Sequence, residues 1–179
     1  MQRQKLKPAW EEMLRMNDGR QLWMRPIQPA DEEPLRRGFA LLDPEEIRMR
    51  FLHPMKELSA TMAHDLCNID PKSQFALVAA EPLPPGEALI GAVARCAIEK
   101  NGRAEFAILV ARLLAGQGLG QLMMKQVISW ARRKRIDVLY GDVLDENSAM
   151  LNLAAELGFS RHHQADDRGV IRVELPLNR

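Results

Sequence analysis

Cysteine is nearly absent from this chain, with only Cys67 and Cys96 in 179 residues. Two thiols make no disulfide scaffold, and without a CxxC spacing they offer neither a zinc site nor a dithiol redox pair. Charge of one sign is missing too. Twenty-five Lys and Arg against 24 Asp and Glu leave a net +1. Nucleic acid or an acidic membrane would therefore have to be met by a local basic patch. No run of about 18 apolar residues occurs, which removes a membrane-spanning helix. The opening residues, MQRQKLKPAW, place no apolar stretch behind their positive charges, so no secretory leader is expected. Aromatics make up 5%, and Tyr140 is the single tyrosine. Repeats and low-complexity tracts are absent. What is present suits a globular chain: 46% hydrophobic and 27% charged residues, in a length that buries roughly 70% of the extended surface as one domain. The expectation is a soluble cytoplasmic protein, with an extension over residues 1–17 and a single domain over 18–179.

Periodicity places the elements. Residues 8–16 read as a short helix with Trp10, Met13 and Leu14 on one side. Residues 21–27 read as a strand ending among Pro26 and Pro29. Helices follow over 31–41, from Asp43 and Pro44 onward, and over 57–67; the second carries a cap, a proline at its first position and early acids. From 74 the period changes to strands at 75–80 and 89–98. Asn101-Gly102 is a hairpin signal joining the latter to 104–110. Leu119, Leu122, Met123, Val127, Trp130 and Ala131 recur at helical spacing. A strand at 138–144, a helix at 148–157 stopped by Gly158, and a strand at 170–175 complete an α/β pattern.

The sharpest local feature is Gly116-Gln117-Gly118-Leu119-Gly120, between a strand and the long helix. Glycines there let backbone N–H groups converge where a helix start favours a phosphate. A Walker A loop needs Lys and Ser or Thr after its glycines, and Gln121-Leu122-Met123 stand there instead. A Rossmann loop needs GxGxxG near the start of the chain, and this is GxGxG two-thirds along. A tight turn that binds nothing remains the other local reading.

The stretch 104–159 resembles the core of the GCN5-related N-acetyltransferase (GNAT) superfamily, whose Q/R-x-x-G-x-G/A loop binds the acetyl-CoA pyrophosphate at the start of the central helix. On that pattern Ala115 stands at the Q/R position, Gly118 at the first glycine and Gly120 at the second. Ala115 is a departure, but the backbone donors, from Gln117 to Gln121, are kept. NSAMLNLAAELGF (147–159) matches the late Asn-to-GF segment of the family. Four ordered blocks are similar to the acetyltransferase domain of bacterial Pat-type protein lysine acetyltransferases: MRPIQPADEEPL (24–35), RFLHPMKELS (50–59), AEFAILV (104–110) and GLGQLM (118–123). The resemblance covers about residues 20–175. It implies the GNAT fold, a central mixed, mostly antiparallel twisted sheet flanked by helices. It also implies acetyl transfer to a primary amine by direct attack, without a metal or a covalent enzyme intermediate.

Such chemistry needs a deprotonated amine, and a lysine ammonium with a pKa of about 10.4 needs a proton acceptor. The resemblance assigns that role to Glu105, because the Glu of the AEF-like segment is the proposed base in Pat-type enzymes. Partial burial would raise its pKa; a strand-edge acid paired with Arg103 is the alternative. The backbone of Leu109, Val110 and Ala111 is expected to bind the pantetheine arm like an added strand, with the Val110 N–H polarising the thioester carbonyl. Ala115, Gly116, Gln117, Gly118, Leu119, Gly120 and Gln121 form the expected pyrophosphate cradle. Asn147 either holds the pantetheine or only caps the following helix. The tyrosine that many GNAT enzymes carry before the GF pair is replaced by Ala154, and Tyr140 lies on a different strand.

Several groups read as structural. Arg132, Arg133, Lys134 and Arg135 close the long helix, where positive charge is favoured. Arg172 reads as a strand surface residue. His162 and His163 beside Asp166 and Asp167 would point to opposite faces of a strand, against a metal site. His53 and His64 read as structural or surface groups, and Cys96 as a small buried hydrophobe. The residues from Phe51 to Glu57 are candidates for the acceptor side. The expected partners are acetyl-CoA and an amine acceptor, a protein lysine first and a small amine or polyamine second, with no nucleic acid, membrane or metal. A catalytically weak acyl-CoA-binding regulatory domain is the alternative of another class. The assembly is expected to be a monomer or homodimer.

Overall fold

The computed structural model describes every residue except 165, 167 and 179. Its sheet has the order β1-β2-β3-β4-β5-β6-β7-β9-β8. The strands are β1 (Gln2–Lys5), β2 (Glu12–Arg15), β3 (Gln21–Pro26), β4 (Gln74–Ala80), β5 (Ile90–Ile98), β6 (Arg103–Val110), β7 (Val138–Leu144), β8 (Ser160–His163) and β9 (Val170–Pro176). All neighbours are antiparallel except β6 and β7. Among the described residues five α-helices flank the sheet: α1 (Glu32–Ala40), α2 (Pro44–Phe51), α3 (Ala60–Cys67), α4 (Leu119–Arg133) and α5 (Ser148–Glu156). This is the mixed, mostly antiparallel architecture that the resemblance implies.

Alternation along β4 shows how the two layers are made. Phe75, Leu77 and Ala79 join the core beneath α4 and α5, with Met123, Val127, Trp130 and Leu151. Ala76, Val78 and Ala80 face the other way, toward Ile27 and Cys67, and α1, α2 and α3 close that side around Phe39, Ile47, Leu58 and Ala63. A strand buried on both faces reads as a continuous apolar run, as this one does.

Local signals hold at several boundaries. Asp43 and Glu46 form a reciprocal capping box at 2.9 and 3.0 Å around Pro44. Asn101 and Gly102 both have positive φ, +67° and +72°, as a primed hairpin turn requires. Ser59 accepts from the Met62 N–H at 3.1 Å and starts α3 at Ala60, later than the sequence reading placed it.

The helix expected over 8–16 is not formed. Residues 2–15 make the hairpin of β1 and β2, and β2 pairs with β3. Trp10, Met13 and Leu14 suit helical spacing, but Glu12, Leu14 and Met16 are buried while Arg15 is exposed, which is the period of a strand. The free edge of β3 decides the matter, because it offers ladder bonds that an isolated short helix lacks. Trp10 then packs edge-on against Phe75, with ring centroids 5.0 Å apart.

Candidate active site

β6 and β7 pair at only three positions: Arg103 with Val138, Ala104 with Leu139 and Glu105 with Tyr140. Beyond that rung they part, and each keeps only its outer neighbour. A wedge marks the fork. The Phe106 ring occupies the space beside Gly141, where a Cβ would lie 2.7 Å from two ring atoms. Phe159 backs the ring edge-on at 5.3 Å. Gly141 is therefore required by close packing, a need its position in an apolar strand did not reveal.

Ladder parity supplies donors to the opening. The Ala111 N–H bonds Gly91 O on β5 at 2.9 Å. Alternate residues of an extended strand turn their N–H groups to opposite edges, so Ile108 and Val110 direct theirs toward the gap where β7 has left. At the far end of β6 lies the glycine loop, with Gly116 and Gly118 at φ +76° and +86°. The N–H groups from Gly116 to Gln121 donate to no acceptor among the described residues. They form the start of α4, where the helix dipole adds positive potential. The Ala115 N–H is committed to Arg112 O at 3.1 Å, so that residue adds no donor. Gln117 anchors the loop, its Oε1 accepting from the Asn17 N–H at 3.0 Å in the β2–β3 turn.

Gly120 lies against Leu153 of α5 and Val110 of β6, which sit 3.4 and 3.7 Å from where its Cβ would be. Asn147 caps α5, its Oδ1 accepting from the Met150 N–H at 3.2 Å. Ala154 is 1% exposed within the core. Leu109 and Ala111 turn instead toward a pocket of about 720 Å³ between the sheet and α1 and α2, which Phe51 also lines.

Glu105 is exposed at the fork, and its pKa is raised. Partial desolvation by the surrounding protein, which the exposed side chain does not wholly escape, is the largest cause, followed by the charges of Asp142 and Glu99, against which Arg172 and Arg50 pull. Tyr140, on the same rung, donates its hydroxyl to Glu99 at 2.6 Å. Burial and that bond push the phenol up, so it holds its proton. Arg172, read from sequence as a surface residue, pairs with Asp142 at 2.8 Å and lies 4.5 Å over the Tyr140 ring. Period-two alternation could have placed Asp142 and Arg172 on one face, but no local pattern shows that they border Glu105.

Other expected groups serve the fold. His64 bonds Glu32 at 2.8 Å, Arg133 lies over the Trp10 ring at 4.8 Å, and Lys134 donates to Pro71 and Lys72 carbonyls. Both cysteines are buried, and burial pushes Cys67 up to about 11 and Cys96 up to about 12. A thiolate nucleophile is thereby disfavoured. Among the described residues no group of three or more His, Cys, Asp or Glu gathers in metal-binding geometry; Asp167 lies outside them. Among the described residues no helix is long and apolar enough to cross a membrane.

The arrangement of fork, cradle and helices has relatives. Residues 21–160 match the family model described as Acetyltransferase (GNAT) domain. An acetyltransferase from Pseudomonas aeruginosa is 33% identical over 170 residues, covering 94% of this chain and 89% of that protein. The crystal structure of the GNAT domain of S. lividans PAT superposes with a TM-score of 0.81 at 25% identity, over 96% of this chain and all of that one. The Salmonella typhimurium protein yncA, solved with its cofactor acetyl-CoA, shares the fold at TM-score 0.62 and 19% identity, over 88% of this chain and 94% of that one. With a family match that spans most of its length and a relative this similar end to end, the chain belongs to the GNAT acetyltransferase family.

Proposed function

We propose that the protein moves the acetyl group of acetyl-CoA to a primary amine, a protein lysine side chain, by direct attack with Glu105 as general base. The observation that carries this reading is Glu105 itself: an exposed carboxylate of raised pKa at the rung where β6 and β7 part. Acetyl-CoA would supply the activated thioester carbonyl. The chain's own residues suit it. The unengaged N–H groups of Gly116 to Gln121 fit a pyrophosphate, and the Val110 N–H fits an extended pantetheine arm or the developing oxyanion. From Glu105 to Val110 the strand runs roughly 17 Å, which sets the base and the cradle at opposite ends of one cleft. Glu105 takes the proton from the attacking amine, and its raised pKa brings it closer to that task.

The Pat-like sequence blocks, together with the likeness to the S. lividans PAT domain, support lysine as the acceptor. One observation favours a small amine or polyamine instead. α2 is tied to both margins of the fork, by Asp43 to Arg112 at 2.8 Å and by Arg48 to Glu146 at 2.5 Å, which narrows the approach. Incubation with acetyl-CoA and a panel of lysine peptides and spermidine, read by mass spectrometry, tests both. Acetylated peptide supports the proposal and acetylated spermidine alone supports the second reading. CoA release with no acetylated product would overturn both and favour an acyl-CoA-binding regulatory domain.

A further inference from the structure

The pocket beneath α1 and α2 holds two guanidinium groups that neither acid on its wall, Glu46 or Glu81, meets in an ion pair. Arg50, from the last turn of α2, and Arg95, from β5, both line it among Phe39, Leu42, Phe51 and Leu109. Arg50 has no hydrogen-bond or ion-pair partner among the described residues; its guanidinium lies 4.5 Å over the Phe51 ring. Arg95 directs two nitrogens to a single carbonyl, Leu66 O, each at 3.3 Å.

Other arginines show what this fold does with a structural guanidinium. Arg25, fully buried, is met by both oxygens of Asp31 at 2.8 Å. Arg103 meets Glu174 at 2.6 Å, and Arg172 meets Asp142 at 2.8 Å. Among the described residues no carboxylate makes such a contact with Arg50 or Arg95; Glu105 acts on Arg50 only through space, and the two arginines repel each other. Burial lowers both to about 10, so both remain cations at neutral pH. An unpaired cation in apolar surroundings is costly, and the planar fork of arginine is matched by a carboxylate.

We propose that Arg50 and Arg95 form a carboxylate-binding subsite on the acceptor face, with the apolar walls of the pocket taking the short carbon chain that bears the carboxylate. A hydrated inorganic anion would leave those walls unused. Arg95 pairs across the ladder with Ala107, two residues along β6 from Glu105, roughly 7 Å of strand. The carboxylate therefore belongs to a group handled at the fork. Two sources share this chemistry: an acidic side chain next to the acceptor lysine, or the terminal carboxylate of a dicarboxylic acyl group on CoA. Substrate use rests on the acyl-transfer reading above, whereas binding does not.

Calorimetric titration with hexanoate and hexanol decides the binding. Hexanoate should bind saturably and hexanol at least about tenfold more weakly. Arg50→Met should weaken hexanoate about 10- to 100-fold, and Arg95→Met should act in the same direction. Acetyl-CoA affinity, measured alongside, reports that each variant is folded. Arg50→Met should also raise the Tm of the ligand-free protein by removing an uncompensated charge, the reverse of what a structural role would give. Equal binding of hexanol, absence of hexanoate binding, or unchanged binding with a lowered Tm in Arg50→Met would overturn the subsite. kcat/KM for succinyl-CoA against butyryl-CoA, and for lysine peptides with a neighbouring Glu against Gln, then identifies the source. No gain in either arm overturns its role in substrate recognition.

Discussion

Glu105 and Tyr140 stand opposite each other on the last rung that joins β6 to β7. The carboxylate is left without a hydrogen bond from the phenol, because the Tyr140 hydroxyl is spent on Glu99 at 2.6 Å. The phenol therefore leaves the Glu105 lone pairs unengaged, as the proposed role of Glu105 as base requires.

Glu105→Gln keeps the size of the side chain and removes the proton acceptor. Acceptor-dependent turnover should fall roughly 10²–10⁴-fold while acetyl-CoA affinity hardly changes. A general base works only when ionised, and the Glu105 pKa is raised, so with Glu105 in that role wild-type activity should decline with acidification at a pH above the ordinary carboxylate range. The same shift sets a stability signature. A carboxyl with a raised folded-state pKa contributes stability at low pH that is lost as pH rises, so the Gln variant should gain Tm relative to wild type at neutral pH and not in acid. Turnover near wild type, with chemistry shown to be rate-limiting, would exclude the role.

Asp142 and Arg172 act on Glu105 in opposite directions, the first raising its pKa and the second lowering it. Asp142→Asn should therefore move the acidic limb of the kcat/KM profile down in pH, and Arg172→Met should move it up. Parallel shifts would mean that the two variants perturb the fold and not the charge at the base.

Gly118 has φ +86° with no atom within 4 Å of where a Cβ would sit. Asp and Asn both tolerate that left-handed region better than most side chains, so the pair isolates charge. Gly118→Asp should weaken acetyl-CoA binding far more than Gly118→Asn, because only the former sets a carboxylate among donors that fit a pyrophosphate. Calorimetry with a circular dichroism control reads the difference; equal losses would remove the phosphate cradle.

Ala154 occupies the position where many relatives in the family carry tyrosine. Its methyl group is 1% exposed in a packed core, so Ala154→Tyr should cost about 1–3 kcal/mol of stability. It should lower acetyl-CoA affinity without speeding the chemical step. Pre-steady-state acetyl transfer is the measurement, since product release can mask chemistry at steady state. A faster step with preserved binding would show that a missing proton donor limits the enzyme.

Arg25 and Asp31 are both fully buried and meet in two 2.8 Å bonds. Asp31 also accepts from the Gln28 N–H at 2.8 Å, holding the turn before α1. Asp31→Ala should cost about 3–5 kcal/mol by leaving a buried cation alone. The double variant Arg25→Met with Asp31→Ala should recover part of that loss. Urea denaturation of the wild type, the Arg25→Met and Asp31→Ala single variants and the double variant provides the cycle, and additive losses would deny the coupling.

Much of the fold was legible because its signals are local. The Asn101-Gly102 turn, the Asp43 cap and the helical spacing of Leu119, Met123, Val127 and Trp130 depend on neighbours a few residues away, and each stands where periodicity placed it. The loop at Gly116–Gly120 was legible for the same reason, since positive φ is a property of the backbone at one residue. The helix expected over 8–16 failed where local spacing was ambiguous. Trp10, Met13 and Leu14 fit a helical period while Glu12, Leu14 and Met16 fit a strand's, and only the edge of β3 supplies the partner that selects a strand.

By itself, then, the sequence determined the α/β order of elements, the glycine turn into α4 and a Glu at the start of β6. Tertiary structure alone decided which charges find partners. Arg25 has Asp31 six positions away, whereas among the described residues no carboxylate pairs with Arg50 or Arg95, which face a pocket. Glu105 is tuned by Glu99, Asp142 and Arg172, drawn from three segments of the chain. The physical reason is that electrostatic energy follows distance through space and the local dielectric, and neither is written in the order of residues.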